Sequence, residues 1–533
     1  QIHAEGSVRH AEKRRRGTCE FANRIARVSL EAYGRSVPQS YRDASKQTCV
    51  AAIVARFHRR TAVDGNDGEG GSVSHLQVMG LGAGTKFLTD AVLREERRLP
   101  GADDLADRCY GKRIRDCHAE VLARRAFRRR ISLEILSDLE RSEPNNEAEA
   151  GGEGGGIEKV EYVPILERIS GPNIRYRLRS DVTLHFYTSS APCGNATLKK
   201  FTKMEKEKFD ASLGSDEWPQ QTHEPIQAHS IRLGQFALLV KKDGSIPSQP
   251  TPDEQDTERS ETRHQEPSPE RQHKRQKKKK KPWPCREGDA WCPPSCSIAN
   301  FDRGTIHSCS DKLCRWNCLG MQGSLLMSVL DEPLYMATLT VGRKFSRAIC
   351  QRAVCCRANG FGTRTAGSNG AGSLGKYKLN HPALMETNVY MDESGTHDMT
   401  GVTSVGQDAM FGSNLCWVWW PEKASNLCYA ADCLDGKTGL RINYQESVGT
   451  CDSQEAIATP AFSACSTFAM VLLNMEILQN IGVPNMVPGK DQSKLSISEL
   501  RQLKQKVSAQ YESAKADLFR HRVFDQWSCR VCE

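Results

Sequence analysis

Asp116-Cys117-His118-Ala119-Glu120-Val121 decides how this chain folds, because it sets a metal-ligating imidazole two residues from a carboxylate. Two later cysteines give the stretch its force. Cys193 stands in Ala191-Pro192-Cys193-Gly194 and Cys309 in Ser308-Cys309-Ser310-Asp311-Lys312, each where a strand-like run gives way to a helix-like one. One histidine and two thiolates supply three ligands of a tetrahedral zinc and leave the fourth position to water, as in a catalytic zinc and unlike a closed structural one. Singly, His118-Ala119-Glu120 reads as a surface helix terminus and each cysteine as a small buried side chain. Together the three blocks reverse that. Other thiols fit less well: Cys296 lacks a following Asp-Lys, and Cys529-Arg530-Val531-Cys532 has metal spacing without a second ligand pair.

Gly194-Asn195-Ala196 follows Cys193, so the compact Pro-Cys-x-x-Cys of short zinc nucleobase deaminases is absent and Cys309 supplies the third ligand from far downstream. This split accompanies Arg124-Arg125 after the His-Ala-Glu, and the run Ser308 to Asn317 ahead of Leu319-Gly320 and Gln322-Gly323. On these residues the chain resembles the adenosine-to-inosine RNA-editing deaminases over residues 79–527. No duplex-RNA-binding module precedes the catalytic region, so the resemblance is strongest to the tRNA-specific members.

The resemblance implies an α/β fold of three layers, α-β-α, with a cytidine-deaminase-like mixed sheet flanked by helices, long disordered insertions and a helical C-terminal extension. It implies zinc-dependent hydrolytic deamination of adenosine to inosine in the anticodon region of tRNA. His118, Cys193 and Cys309 would hold Zn2+, and Glu120 would act as the catalytic acid/base. Inositol hexakisphosphate is implied as a buried second cofactor beside Val121, Arg124, Arg125, Lys312, Arg315 and Trp316. Its other implied neighbours are Gln322, Lys437, Tyr511, Lys515 and Trp527. Asp116 and Lys312 would relay protons between that anion and the zinc water, and Thr85 and Lys86 would touch the RNA backbone. The chain departs from the family wording at Arg115, Asn195 and Gln505, and lacks an Arg-Thr-Gly-Ala-Lys-type loop before Cys309. Two other activities stay open: deamination of structured mRNA, and non-catalytic RNA binding, which loss of Glu120 would have signalled.

With 533 residues and 38% hydrophobic content, the chain is long enough for one large core with polar excursions. A net charge of +9 suits an anionic partner such as RNA without identifying one. Twenty-one cysteines at irregular spacings, without an apolar leader, point to a reducing compartment, nucleus and/or cytoplasm. Lys277 to Lys281 would serve nuclear import. No run is long enough to span a bilayer, and no obligate protein partner is evident.

Along the chain, residues 1–20 read as a disordered basic terminus and 21–527 as one deaminase domain. Disordered insertions are expected at 140–161, 241–300 and 359–374, with a frayed end at 528–533. Helical spacing marks Phe21 to Tyr33, and Cys49 to Phe57 and His75 to Phe87 read as strands. The run Gly80-Leu81-Gly82-Ala83-Gly84 reads as a turn. Asp116 to Leu139 reads as an amphipathic helix, Val182 to Tyr187 as an alternating strand, and Ser310 to Leu330 as one helix. A strand is expected over Leu334 to Val341 and helices over Ala348 to Cys355, Phe462 to Leu478 and Ser498 to Phe524.

Overall fold

The computed structural model describes residues 20–44, 48–58, 75–88, 92, 111–141, 162–194, 196, 308–358, 360–362, 375–391, 397–398, 414–421, 429–442, 462–483 and 496–520. The tail before 20, the lysine run, Trp527, most of the expected insertions and the last residues lie outside them.

A helix over 20–36 (α1) and a short helix Gln39–Ala44 (α2) lead into β1, Val50–Phe57, and β2, His75–Ala83. β3, Thr85–Phe87, pairs with β4, Asp116–His118, and α3 follows at once over Ala119–Arg141. A hairpin of β5, Leu166–Ile169, and β6, Arg175–Leu178, precedes β7, Val182–Ser190. Next come α4, Cys309–Leu319, the single turn α5, Ser324–Met327, then β8, Thr338–Arg343, and α6, Arg347–Val354. β9, Ala383–Glu386, and the small pair β10, Tyr390–Met391, and β11, His397–Asp398, lead to β12, Leu415–Pro421, and β13, Tyr429–Asp435. The chain closes with α7, Thr467–Asn480, α8, Ile497–Val507, and α9, Ala509–Arg520.

Seven strands make one mixed sheet in the order β13-β12-β2-β1-β7-β8-β9. The pairs from β13 to β7 are antiparallel, whereas β7-β8 and β8-β9 are parallel. β1 shows why the sheet carries helices on both faces. Its residues Val50, Ala52 and Val54 pack with Ile25, Ala26 and Tyr33 of α1, and Ala51, Ile53 and Ala55 pack with Ala123, Phe127 and Ile131 of α3. A strand apolar on both sides belongs inside a layered α/β domain, and the expected three-layer fold is the one found.

Five local expectations are corrected. The glycine run is not a turn: Gly80 and Gly82 lie within β2, where an added Cβ would come within 2.5 Å of Phe127 N and 2.4 Å of the Ala119 carbonyl oxygen. Glycine there lets α3 lie directly on the strand, and Thr85 and Lys86 sit in a two-stranded ladder. α3 begins at Ala119, because 116–118 are β4, and it is buried on almost every side, charges included, so it is not amphipathic. The helix expected over Ser310 to Leu330 ends at Leu319. Gly320, at φ 80°, turns the chain and donates its N–H to the Trp316 carbonyl at 2.8 Å. The final helix breaks at Ser508, whose hydroxyl donates to the Ser324 carbonyl at 2.5 Å and ties α8 and α9 back to α5. α7 starts at Thr467, later than the apolar pattern suggests, because Ser466 caps it by accepting from Ala469 N at 3.1 Å.

Candidate metal centre and active site

Three separated segments deliver the site. His118 is the last residue of β4, Cys193 lies in the turn after β7, and Cys309 opens α4. Their ligand atoms lie within 4.8 Å of one another. The Cys309 N–H points at Cys193 Sγ at 3.4 Å, and Ser310 N donates to the Cys193 carbonyl at 3.0 Å, so the two thiols are locked to each other through main chain. Glu120 stands in the first turn of α3, and both α3 and α4 start at this point. Their N-terminal ends turn partial positive charge toward it.

Asp116 fixes the imidazole. Its Oδ1 accepts from His118 N at 2.8 Å and pairs with His118 Nδ1 at 2.7 Å, which leaves Nε2 for a metal. Its other oxygen is paired with Lys312 Nζ. The Phe87 ring lies tilted against the imidazole at a centroid distance of 4.2 Å. Thr85 and Lys86 lie beside it, opposite His118 and Cys117 in the β3-β4 ladder.

The start of α4 is secured by contacts that spacing alone does not announce. Ser308 and Asp311 close a capping box, with the Ser308 hydroxyl accepting from Asp311 N at 3.2 Å and the Asp311 carboxylate accepting from Ser308 N at 3.1 Å. Arg357, beyond α6, pairs with Asp311 at 2.6 Å and donates to the Ser310 carbonyl at 3.2 Å. The Ser-x-x-Asp pattern is a readable signal for the cap. Nothing in the sequence links Arg357 to it.

Burial dominates the electrostatics. Glu120, only 4% exposed, has its pKa pushed up to about 7, first by burial and then by the Cys193 sulfur. Burial also works against ionised Asp116, yet Lys312 and His118 outweigh it and hold that carboxyl down at about 2. Burial disfavours a charged His118, but Asp116 and Cys193 raise its pKa. Cys193 is lowered, chiefly by the hydrogen bond from Cys309, while burial raises Cys309. The pair therefore shares its charge unevenly, and a coordinated cation would hold both sulfurs as thiolates.

Behind the site lies a group of buried cations. Arg124, Arg125, Lys312 and Arg315 are each at most 8% exposed. Arg124 Nε donates to the Met321 carbonyl at 2.7 Å and its guanidinium lies 4.9 Å from the Trp316 ring. Arg125 donates to the Cys465 carbonyl at 3.0 Å. Val121, Trp316 and Tyr511 belong to the same apolar cluster. Gln322 is fully buried, donating to the Leu319 carbonyl at 2.8 Å and accepting from Leu334 N at 2.9 Å. Lys437 is exposed on the turn after β13. Lys515 is partly exposed and pairs with Glu512 at 3.2 Å.

Comparison with known proteins places this geometry. The Adenosine-deaminase (editase) domain family matches residues 81–530, and the chain belongs to that family. It is 26% identical over 298 residues to the mouse (Mus musculus) double-stranded RNA-specific adenosine deaminase, covering 55% of this chain and 19% of that protein. It is 25% identical over 322 residues to mouse tRNA-specific adenosine deaminase 1, covering 53% of this chain and 57% of the relative. A segment of 57 residues is 47% identical to the human (Homo sapiens) tRNA-specific adenosine deaminase 1, or 10% of this chain and 11% of that one. The chain thus spans a minor part of the first relative and just over half of the second. No helix among the described residues is long and apolar enough to cross a membrane.

Proposed function

We propose that the chain is a zinc-dependent enzyme that hydrolytically deaminates adenosine to inosine in tRNA. The observation that carries this is the meeting of His118, Cys193 and Cys309 within 4.8 Å beside the buried carboxyl of Glu120. The donor set, one imidazole with Nδ1 already engaged and two sulfurs, suits zinc with one position left over. When bound, zinc supplies a Lewis acid that lowers the pKa of a water to about 7. Glu120 has a pKa near the same value, so it can take that water's proton and return it to the ring and the departing amine. Asp116 holds the His118 ring in place, and Lys312 keeps Asp116 ionised. The overall change is water plus adenosine giving inosine and ammonia.

Inositol hexakisphosphate is proposed as the anion among the buried cations. Four cations at the α3-α4 junction, together with Trp316 Nε1, a buried donor without a partner among the described residues, suit a multiply charged acceptor. Val121, Gln322 and Tyr511 adjoin the same interior. Lys515 and Trp527 remain proposals by resemblance, as do Thr85 and Lys86 as contacts to the RNA backbone.

The match to tRNA-specific adenosine deaminase 1 over more than half of that protein supports tRNA as the substrate. The match to the double-stranded RNA-specific enzyme supports a second reading, duplex RNA. Incubating purified protein with unmodified tRNA transcripts and with matched duplex RNA, then reading inosine by sequencing, decides between them. Inosine in tRNA alone is expected. Inosine in duplex alone replaces the tRNA proposal with the second reading, and zinc-loaded protein inactive on both overturns the enzyme proposal.

A further inference from the structure

A second thiol and imidazole cluster lies where α6 ends, away from the chemistry described above. Cys355 and Cys356 follow α6, and His381 precedes β9. Cys355 Sγ and Cys356 Sγ are 3.5 Å apart, Cys356 Sγ is 3.8 Å from His381 Nδ1, and the three ligand atoms lie within 4.8 Å of one another. A tetrahedral zinc with Zn–S of about 2.3 Å and Zn–N of about 2.0–2.1 Å needs ligand-to-ligand edges of roughly 3.5–3.8 Å. From these contacts we infer that Cys355, Cys356 and His381 form a second metal site, for Zn2+ or a similarly thiolate-preferring ion.

The surrounding main chain holds the ligands in that arrangement without a metal. Asn317 of α4 donates through its side chain to the carbonyl of Val354, the residue before Cys355, at 2.9 Å. The same Asn317 accepts at its main-chain carbonyl from Asn380 N at 2.7 Å, and at its side-chain oxygen from Asn380 Nδ2 at 2.9 Å. Asn380 immediately precedes His381. One side chain therefore fixes the approach of two ligand-bearing segments, as the outer shell of a metal site does. Two sulfurs and a nitrogen favour zinc over the hard cations, which take oxygen.

Both cysteines are buried, whereas His381 is exposed, so the ion is reachable from solvent and the fourth position falls to water. Without metal, the Cys355 thiol donates to the Gln351 carbonyl at 3.0 Å. Binding Zn2+ breaks both S–H bonds and releases those protons to solvent, with no change of oxidation state. The ion would tie α6 to the entry of β9 and, through Asn317, to the helix that begins at Cys309.

Elemental analysis of purified full-length protein tests this directly. Wild type should hold two equivalents of zinc per chain, and His381→Ala and Cys356→Ser should each hold one. Cys309→Ser should also lose one equivalent, and not the one lost with His381. His381 is exposed, so His381→Ala should keep the circular dichroism of wild type even if Cys356→Ser fails to fold. In cobalt-substituted protein, the thiolate-to-metal absorption should fall in His381→Ala while the contribution of the Cys193-Cys309 centre remains. A single zinc in wild type that Cys309→Ser removes, or zinc content and cobalt absorption unchanged in His381→Ala, overturns the site.

Discussion

Arg357 illustrates how little of this centre is local. Its guanidinium is 2% exposed and pairs with Asp311, the residue that closes the cap on α4 two positions after Cys309. Removing one partner of a buried pair leaves the other charge without compensation, at a cost of about 3–5 kcal/mol. Arg357→Ala should therefore lose about that much stability in urea unfolding and bind metal more weakly at Cys309. A loss under about 1 kcal/mol, the value of an exposed pair, would show that the clamp does not hold the helix start. At this scale the sequence was informative wherever neighbours in sequence are neighbours in space. Asp116, His118 and Glu120 lie within five positions and their relation follows from local geometry. The Asp311-Arg357 pair joins positions separated by most of α4 and by α5, β8 and α6, and no spacing rule reports it.

Among the elements, the junction of β2 and α3 governs where His118 and Glu120 stand. A Cβ on Gly82 would meet the Ala119 carbonyl at 2.4 Å and Ala123 N at 2.6 Å, main-chain atoms that cannot turn aside. Gly82→Val should cost at least the 1–3 kcal/mol typical of overpacking, roughly, and should displace the start of α3 enough to lower zinc content. Gly171, where nothing lies within 4 Å, provides the control: Gly171→Ala should leave both unchanged. Equal melting temperatures for the two variants would contradict the close packing. The glycine-rich run misleads as sequence because glycine serves turns and close approaches alike, and only the path of α3 separates the two.

On the other side of the sheet, His185 of β7 is 3% exposed and links Thr183 and Thr338 at 2.9 Å each, with Phe21 of α1 edge-on to its ring. Burial, with Arg56 and His58 nearby, pushes its pKa down to about 4. An unfolded histidine titrates near 6.5, so between the two values the unfolded chain holds the extra proton. This contribution to stability is complete above about pH 6.5 and is lost as pH falls from there through about 4. The unfolding midpoint of wild type should fall more steeply between pH 7 and pH 4.5, approximately, than that of His185→Gln. Parallel curves would remove His185 from the account.

For the whole molecule, the sheet with helices on both faces brings together ligands from positions 118, 193 and 309, and assembles the buried cations on the same helices. The three-layer architecture came from the family resemblance, and β1, packed against helices on both faces, bears it out. The interior of α3 was not legible in the sequence, because its arginines imitate a solvated face until the helix is seen enclosed by sheet and helices. If inositol hexakisphosphate fills that interior, Arg124→Ala should yield poorly soluble protein with little bound phosphate by mass spectrometry of the denatured sample. Full solubility with no anion in wild type would exclude the cofactor. The implied phosphate contacts differ in burial: Tyr511 is buried, whereas Lys515 is partly exposed and Lys437 exposed.

In the proposed mechanism Glu120 moves the proton at a metal held by His118, Cys193 and Cys309. Inosine formation by Glu120→Gln, measured on protein matched to wild type in zinc content and circular dichroism, tests it most directly. The substitution keeps size and removes the titrating group, so turnover on the RNA that wild type edits should fall by at least 10²–10⁴-fold, on the order expected for a lost general acid/base. Editing by the variant at the wild-type rate, with zinc still bound, would contradict the account.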